Sequence, residues 1–174
     1  MTCKERLEAY LRSHQVAYQA QHHAYAFSAQ RVAHSEHVSG KQLAKVVIVM
    51  ADGKLAMLVL PAPARLDLAK AGAVLGAREV RLAHEAEFAA AFPDCDLGAM
   101  PPFGNLYGLP VYVDQALAAN DTIYFEAGTH TDTMSLAYAD FARLVRPTVA
   151  DLTQRPALLG ETHTAGATET APGA

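Results

Sequence analysis

The sequence predicts an α+β chain built on a mixed or antiparallel sheet rather than a doubly wound parallel one. Three observations carry this expectation. Val46-Val47-Ile48-Val49-Met50 is a β-rich apolar run, and Asp52-Gly53 separates it from a second run, Leu55 to Leu60. Asp-Gly in a two-residue loop supplies the positive φ angles of a type I′ turn, so the pair reads as a hairpin with both strands largely buried. Helical periodicity marks both ends of the chain, and helices and strands then mix without a strict βαβ rhythm.

The elements follow in order. Thr2 and Glu5 have the capping-box spacing, and Leu7, Tyr10 and Leu11 share one helical face, which predicts a helix from Thr2 to Ser13. Val16 to Ala20 reads as a short strand and His22 to Phe27 as an irregular segment. Ser28 opens a second helix running to His37, which Ser39-Gly40 breaks. Pro61 and Pro63 end the hairpin. Leu66, Leu68, Ala69, Ala73 and Leu75 predict an amphipathic helix closed by Gly76. Glu79 to Leu82 reads as a strand and His84 to Ala91 as a short helix. Phe92 to Gly108 holds Pro93, Gly98, Pro101, Pro102 and Gly104, punctuation that disfavours regular structure. Val111 to Val113 and Ile123 to Phe125 are strands, and Tyr138 to Val145 is a last helix ended near Pro147. One domain over residues 1–155 suits the length, and the Ala-, Thr- and Gly-rich stretch 160–174 reads as a disordered tail.

Composition narrows the function. Hydrophobic residues are 51% and charged residues 18%, enough for a real core. A formal net charge of −4 argues against a protein that coats nucleic acid, while a small basic patch around one RNA end stays open. Cys3 and Cys95 make neither a disulfide framework nor a four-ligand zinc site, and a reducing cytosol is the plain reading. No apolar run is long enough to span a bilayer, so a soluble, cytoplasmic protein with no membrane partner is expected.

Two features carry chemistry. Lys45 directly precedes the longest apolar strand. It marks the solvent end of that strand, or it is a cation held rigidly at a pocket rim, able to hold a phosphate or stabilise developing negative charge. In the loop Gly98-Ala99-Met100-Pro101-Pro102, glycine lets backbone approach a ligand and two prolines stiffen the turn. Its carbonyls are candidates to accept hydrogen bonds from a ligand ammonium group or a water. Asp114, at a strand end, is a site residue or the cap of a turn. Gly128 would bring His130 to the mouth of a pocket. His22-His23 and His34 with His37 are weak metal signals, and solvated histidines are the better reading. A P-loop, a dinucleotide fingerprint and a Gly-x-Ser-x-Gly elbow are all missing.

Taken together and in order, Gly40-Lys41-Gln42-Leu43-Ala44-Lys45-Val46-Val47-Ile48-Val49, the Asp52-Gly53 hairpin, Leu58-Val59-Leu60-Pro61, Gly76 to Leu82, Gly98 to Pro102, Pro110 to Asp114 and Ala127-Gly128 resemble the YbaK and prolyl-tRNA-synthetase-associated editing domain family. The resemblance runs from Val16 to Arg146. It implies a mixed, partly barrel-like sheet surrounded by helices, and a hydrolase that deacylates mischarged aminoacyl-tRNA, often free in trans beside a prolyl-tRNA synthetase. No metal, organic cofactor or DNA is implied. By the same resemblance Lys45 anchors the 3′-terminal adenosine and its phosphate. The backbone of Gly98 to Pro102 grips the aminoacyl group and helps place the water; His130 is a catalytic candidate from its place after Gly128 rather than from the resemblance. His23, Phe27 and Ser28 form a substrate-facing segment, and Ala99, Met100, Pro101, Asp114 and Gly128 complete the binding set. Many members have Ser where this chain has Pro101, a departure that bears on amino-acid choice or on activity itself. The other reading is a non-catalytic module of the same fold that binds a tRNA end or nucleotide.

An aminoacyl ester is already activated, so fixing the ester, one water and the terminal ribose supplies much of the rate. Specificity then follows pocket size, and the expected targets are small residues such as Ala, Ser, Thr or Cys.

Overall fold

The computed structural model describes residues 1–23 and 39–155. The helix expected over Ser28 to His37 and the tail from residue 160 lie outside the described residues, as do Phe27 and Ser28. Helix α1 (Cys3–Ser13) begins where the sequence places it. Thr2 Oγ1 accepts from the Glu5 N–H at 3.1 Å, and the Glu5 carboxylate accepts from the Thr2 N–H at 2.8 Å. Strand β1 (Tyr18–His22) starts later than expected. The Val16 N–H is spent on the Leu11 carbonyl at 3.0 Å, and Gln15 takes a positive φ of 57°, so Val16 seals the helix end and is buried there.

Strands β2 (Ala44–Ala51) and β3 (Lys54–Pro61) form the expected hairpin, with Asp52 at φ 48° and Gly53 at φ 78°. Asp52 adds a second function: its carboxylate accepts from the N–H groups of Arg78 and Glu79, fastening the next connection to the turn. Helix α2 (Leu68–Leu75) is capped by Asp67 and stopped by Gly76 in the left-handed region. Leu66, expected in that helix, instead pairs with Thr153. Strand β4 (Val80–Leu82) follows. The single helix expected over His84 to Ala91 divides into α3 (Glu85–Phe88) and a 3₁₀ turn, Ala89–Ala91. A second 3₁₀ turn, Gly104–Tyr107, lies inside the stretch expected to be irregular. Then come β5 (Val111–Asp114), α4 (Gln115–Ala118), β6 (Thr122–Glu126), β7 (Asp132–Ala137), α5 (Tyr138–Val145) and β8 (Thr148–Ala150).

The fold is α+β with mixed pairing. One sheet has the order β4-β2-β3-β5-β8, antiparallel around β2 and parallel from β3 to β8. The other has the order β1-β7-β6 and is antiparallel throughout. The two meet at a single parallel bridge between Leu43 and Tyr124. This is the expected mixed sheet flanked by helices, and among the described residues it stops short of a closed barrel: past Leu43 the outer edge of β2 parts from β6 and is taken over by β4 from Val49 onward.

Most of the core lies on one face of each sheet. Ala44, Ile48, Met57 and Val59 meet Ile123, Phe125, Met134 and Leu136, with Leu7 and Leu11 from α1 and Phe141 from α5. Phe103 sits among them, 5.6 Å from both Phe125 and Phe141 between ring centroids, the second contact edge to face. A smaller cluster covers the opposite face of the five-stranded sheet, where Val49, Leu58 and Leu60 pack with Ala71 of α2 and Leu152. Cys3 and Cys95 are joined as a disulfide across 92 residues, pinning the start of α1 to the loop after α3. This corrects the expectation of unpaired thiols. Nothing in the local sequence signals the pairing, because tertiary packing alone brings the two Cα atoms to 5.1 Å.

Asp114 ties the parallel edge together. It is 1% exposed, and its oxygens accept from the Ala116 N–H and the Leu152 N–H, both at 2.9 Å. Asp114→Ala strands both donors, one of them fully buried. The expected loss is about 2–4 kcal/mol of folding stability, read from urea unfolding, with Asp114→Asn recovering part of it.

Candidate functional site

Alternation along the strands builds a polar face opposite the core. In β6, Ile123 and Phe125 point into the core, so Tyr124 and Glu126 point away from it. In β7, Met134 and Leu136 face the core, leaving Thr133 and Ser135 on the polar side, paired with Glu126 and Tyr124 respectively. The bridge from Leu43 to Tyr124 joins this sheet to the start of β2. Lys45 lies two residues past that bridge, where β2 and β6 have parted, and its contacts are with Ala64 and Arg65.

Glu126 is the centre of the polar group. Its Oε2 lies 3.6 Å from His130 Nδ1, in a pair whose side chains are 16% and 27% exposed. Burial raises the Glu126 pKa above the ordinary carboxylate value, and the attraction of His130 and of His23 offsets only part of that. His23 is fixed by a 2.7 Å hydrogen bond between its Nε2 and Thr133 Oγ1, and by its N–H donating to the Thr131 carbonyl at 2.8 Å.

The Gly98 loop closes on this group. Gly98 has φ +89°, and a Cβ there would meet His130 Cε1 at 3.5 Å. The loop is locked to the β6–β7 connection in both directions: the Gly128 N–H donates to the Ala99 carbonyl and the Asp96 N–H to the Gly128 carbonyl, each at 2.8 Å. Gly128, at φ +94°, admits no side chain, because a Cβ would fall 2.6 Å from that of Cys3. The disulfide and the loop are thus held by one glycine.

Sequence reading and structure agree on part of this arrangement. Gly98, Ala99, Gly128 and His130 come together, and His23 joins them through Thr133 and Glu126. The side chains of Ala99 and Met100 are in the core, and Pro101 and Pro102 are buried, so only backbone of this loop is available to a ligand. The Ala99 carbonyl, a candidate ligand acceptor, is already engaged by Gly128. Asp114 stands apart: both its oxygens are spent on the fold, so its place is structural. Lys45 is half-buried and donates to the Ala64 carbonyl. Burial, and then the neighbouring Arg65, lower its pKa. His22 turns to Asp132 at 3.2 Å while His23 turns to Thr133, so the adjacent histidines do not converge. Glu126 and Thr133 escaped the sequence reading. The signal was present for Glu126, a carboxylate out of phase with Ile123 and Phe125 and one helical turn's spacing before His130.

These features have counterparts among known proteins. The sequence profile of the aminoacyl-tRNA editing domain matches residues 23–144, a span that holds Lys45, the Gly98 loop, Glu126 and His130. The chain belongs to that family. It is 33% identical over 112 residues to the proline–tRNA ligases of two strains of Acidithiobacillus ferrooxidans. That match covers 64% of this chain but only 19% of the ligase, so the chain corresponds to about a fifth of those relatives. A crystal structure of a candidate trans-editing enzyme for prolyl tRNA synthetase superposes with a TM-score of 0.78 at 21% identity, over 89% of this chain and 99% of that one. The fold is therefore the YbaK-like editing fold. Among the described residues no helix is long and apolar enough to cross a membrane.

The raised pKa of Glu126 has a stability consequence of definite sign. Folding favours the protonated form, so its contribution is complete below the unfolded carboxylate value of about 4.3 and is lost as pH rises through the raised value. Glu126→Gln keeps the shape and removes the buried charge. The variant is expected to melt above the wild type at pH 7, with the gap closing as pH falls to about 4, in thermal unfolding followed by circular dichroism. A gap that does not change with pH would assign the effect to packing instead.

Proposed function

We propose that this editing-domain protein is a trans-acting hydrolase that deacylates mischarged aminoacyl-tRNA by attack of water on the ester, working beside a prolyl-tRNA synthetase. The observation that carries the reading is the polar group formed by the Gly98 loop, His130, Glu126 and His23, with Lys45 two residues past the bridge that joins β2 to β6. Each part has a chemical use. Lys45 supplies a point charge for the phosphate or the developing oxyanion at the acceptor end. The loop backbone, held by Gly128, positions the acyl group. His130 stands where it can take a proton from a water, and Glu126 orients the ring. The ester needs no strong nucleophile, so positioning and electrostatics are sufficient.

The small-residue preference follows from the same geometry. A stiff, buried Pro101-Pro102 turn beside the acyl group would not adapt to a larger side chain, and one methylene is worth only about 1–3 kcal/mol in such a site. Mischarged tRNA carrying Ala, Ser, Thr or Cys is the substrate class to screen.

Lys45→Ala is expected to lower deacylation of a mischarged tRNA panel by about tenfold to a thousandfold, the range of single electrostatic donors, with thermal unfolding little changed. Full activity in the variant would remove Lys45 from the site. Tight binding of charged tRNA without turnover by the wild type, on every acyl group tested, would replace hydrolysis with simple binding.

A further inference from the structure

A groove of about 830 Å³ opens between the end of β3 and the strand-to-tail segment after β8. Its walls carry Lys41, Arg65 and Arg155, with Asn120 and Gln154 between them and Pro63 at the rim. No carboxylate is among its lining residues. The three cations are exposed, and among the described residues none of them is in an ion pair. Asp151, which attracts Arg155 at longer range, is bonded to Lys70. By contrast Lys4, Arg6, Arg12, Lys70, Arg81 and Arg143 each pair with a carboxylate.

The walls are built rather than loose. Asn120 Nδ2 donates to the carbonyls of Lys41 and Leu117, at 3.0 and 3.1 Å. The Gln154 N–H donates to the Arg65 carbonyl at 2.9 Å. The groove also adjoins the site: Lys45 donates to the carbonyl of Ala64, a lining residue, and Arg65 lies close enough to depress the Lys45 pKa. In a chain of net charge −4, three uncompensated cations leading to a fourth form a local polyanion track.

The geometry points to this groove as the seat of the RNA phosphate backbone next to the acylated terminus, with Arg65 and Arg155 holding successive phosphates and Lys45 the last. The assignment rests on the editing reading, and binding of uncharged tRNA separates the two. A phosphate track contributes sequence-independent affinity that falls with salt, by about one unit of log–log slope per phosphate neutralised.

The test is fluorescence anisotropy with uncharged tRNA, on wild type, Arg65→Gln with Arg155→Gln, and Lys54→Gln as an exposed cation outside the groove. The double variant is expected to bind at least tenfold more weakly with a salt slope shallower by about one to two, and Lys54→Gln to match the wild type. Deacylation adds a second readout. The double variant should raise KM on mischarged tRNA by a larger factor than on a minimal aminoacyl-adenosine ester, which lacks the backbone phosphates. Unchanged tRNA affinity, or an equal loss in Lys54→Gln, would overturn the groove. Absence of turnover on every charged tRNA, with tRNA affinity still lost in the double variant, would overturn hydrolysis and leave the groove standing.

Discussion

The parallel bridge between Leu43 and Tyr124 is the constraint on which the rest of the molecule depends. Each sheet alone has one face to bury. The bridge sets their relative register, so that the core-facing residues of β2 and β3 meet those of β6 and β7, while the far face of the five-stranded sheet takes the smaller apolar cluster and the far face of β6 and β7 carries the polar group. The Tyr124 N–H donates to the Gln42 carbonyl at 2.9 Å, and that contact fixes the register in which the two sheets join. A shift of one residue would turn Lys45 toward the main core and Ala44 and Val46 to the opposite face of β2. The identity of the site therefore resides in a register as much as in side chains.

From that register the polar face inherits an electrostatic conflict. Glu126 is buried among groups that only partly compensate it, which is costly for folding and useful for chemistry. The surrounding structure holds the arrangement in place. Gly128 accepts a close approach by Cys3 that no other residue could, and it spends both backbone groups on the loop that carries Gly98. A rigid loop against a partly compensated carboxylate–imidazole pair is what a hydrolase relying on positioning requires. Stability has been placed where it fixes geometry: in the Phe103 cluster beneath the loop, the disulfide beside it and the Asp114 tie at the far edge.

How much of this is legible in the sequence varies with the range of the interaction. The capping box of α1, the Asp-Gly hairpin and the Gly76 stop are local chemistry, and each appears where the sequence puts it. Val16 is misread as strand because its N–H is taken by Leu11, a choice that propensity does not reveal. Strand β7 is the largest omission. Asp132 to Ala137 alternates Thr133 and Ser135 with Met134 and Leu136, a period-two signal, but hydroxyl residues dilute it and the run follows a glycine turn. Strand β8 is three residues long and exists through its parallel pairing with β5 and the Asp114 tie. The site shows the same division. Lys45 and the Gly98 loop are visible as a lysine before a buried strand and as glycine–proline punctuation. Glu126 gains its meaning only when β6 is placed beside β2, and the disulfide only when α1 packs against the loop after α3.

The distribution of charge reconciles an acidic chain with the proposed RNA substrate. Net charge governs the far field, which screening confines to about 8–10 Å at physiological ionic strength. Inside that distance the local arrangement decides. Carboxylates occupy α1, the turn at Asp52 and the connection at Glu87, and there they are consumed by cations of their own neighbourhood or by backbone N–H groups. Of the cations in no ion pair among the described residues, Lys41, Arg65 and Arg155 line the groove where β3 ends, with Lys45 beside it, while Lys54, Arg78 and Arg146 lie outside its lining. That placement has a structural origin. Pro61 and Pro63 break the strand and force the chain to turn beside Lys45, so Ala64 presents its carbonyl to the amine and Arg65 faces outward beside it. The same turn that holds Lys45 thus sets a second cation next to it; burial first and the repulsion of Arg65 second lower the Lys45 pKa, and an anion lying across both would relieve that repulsion.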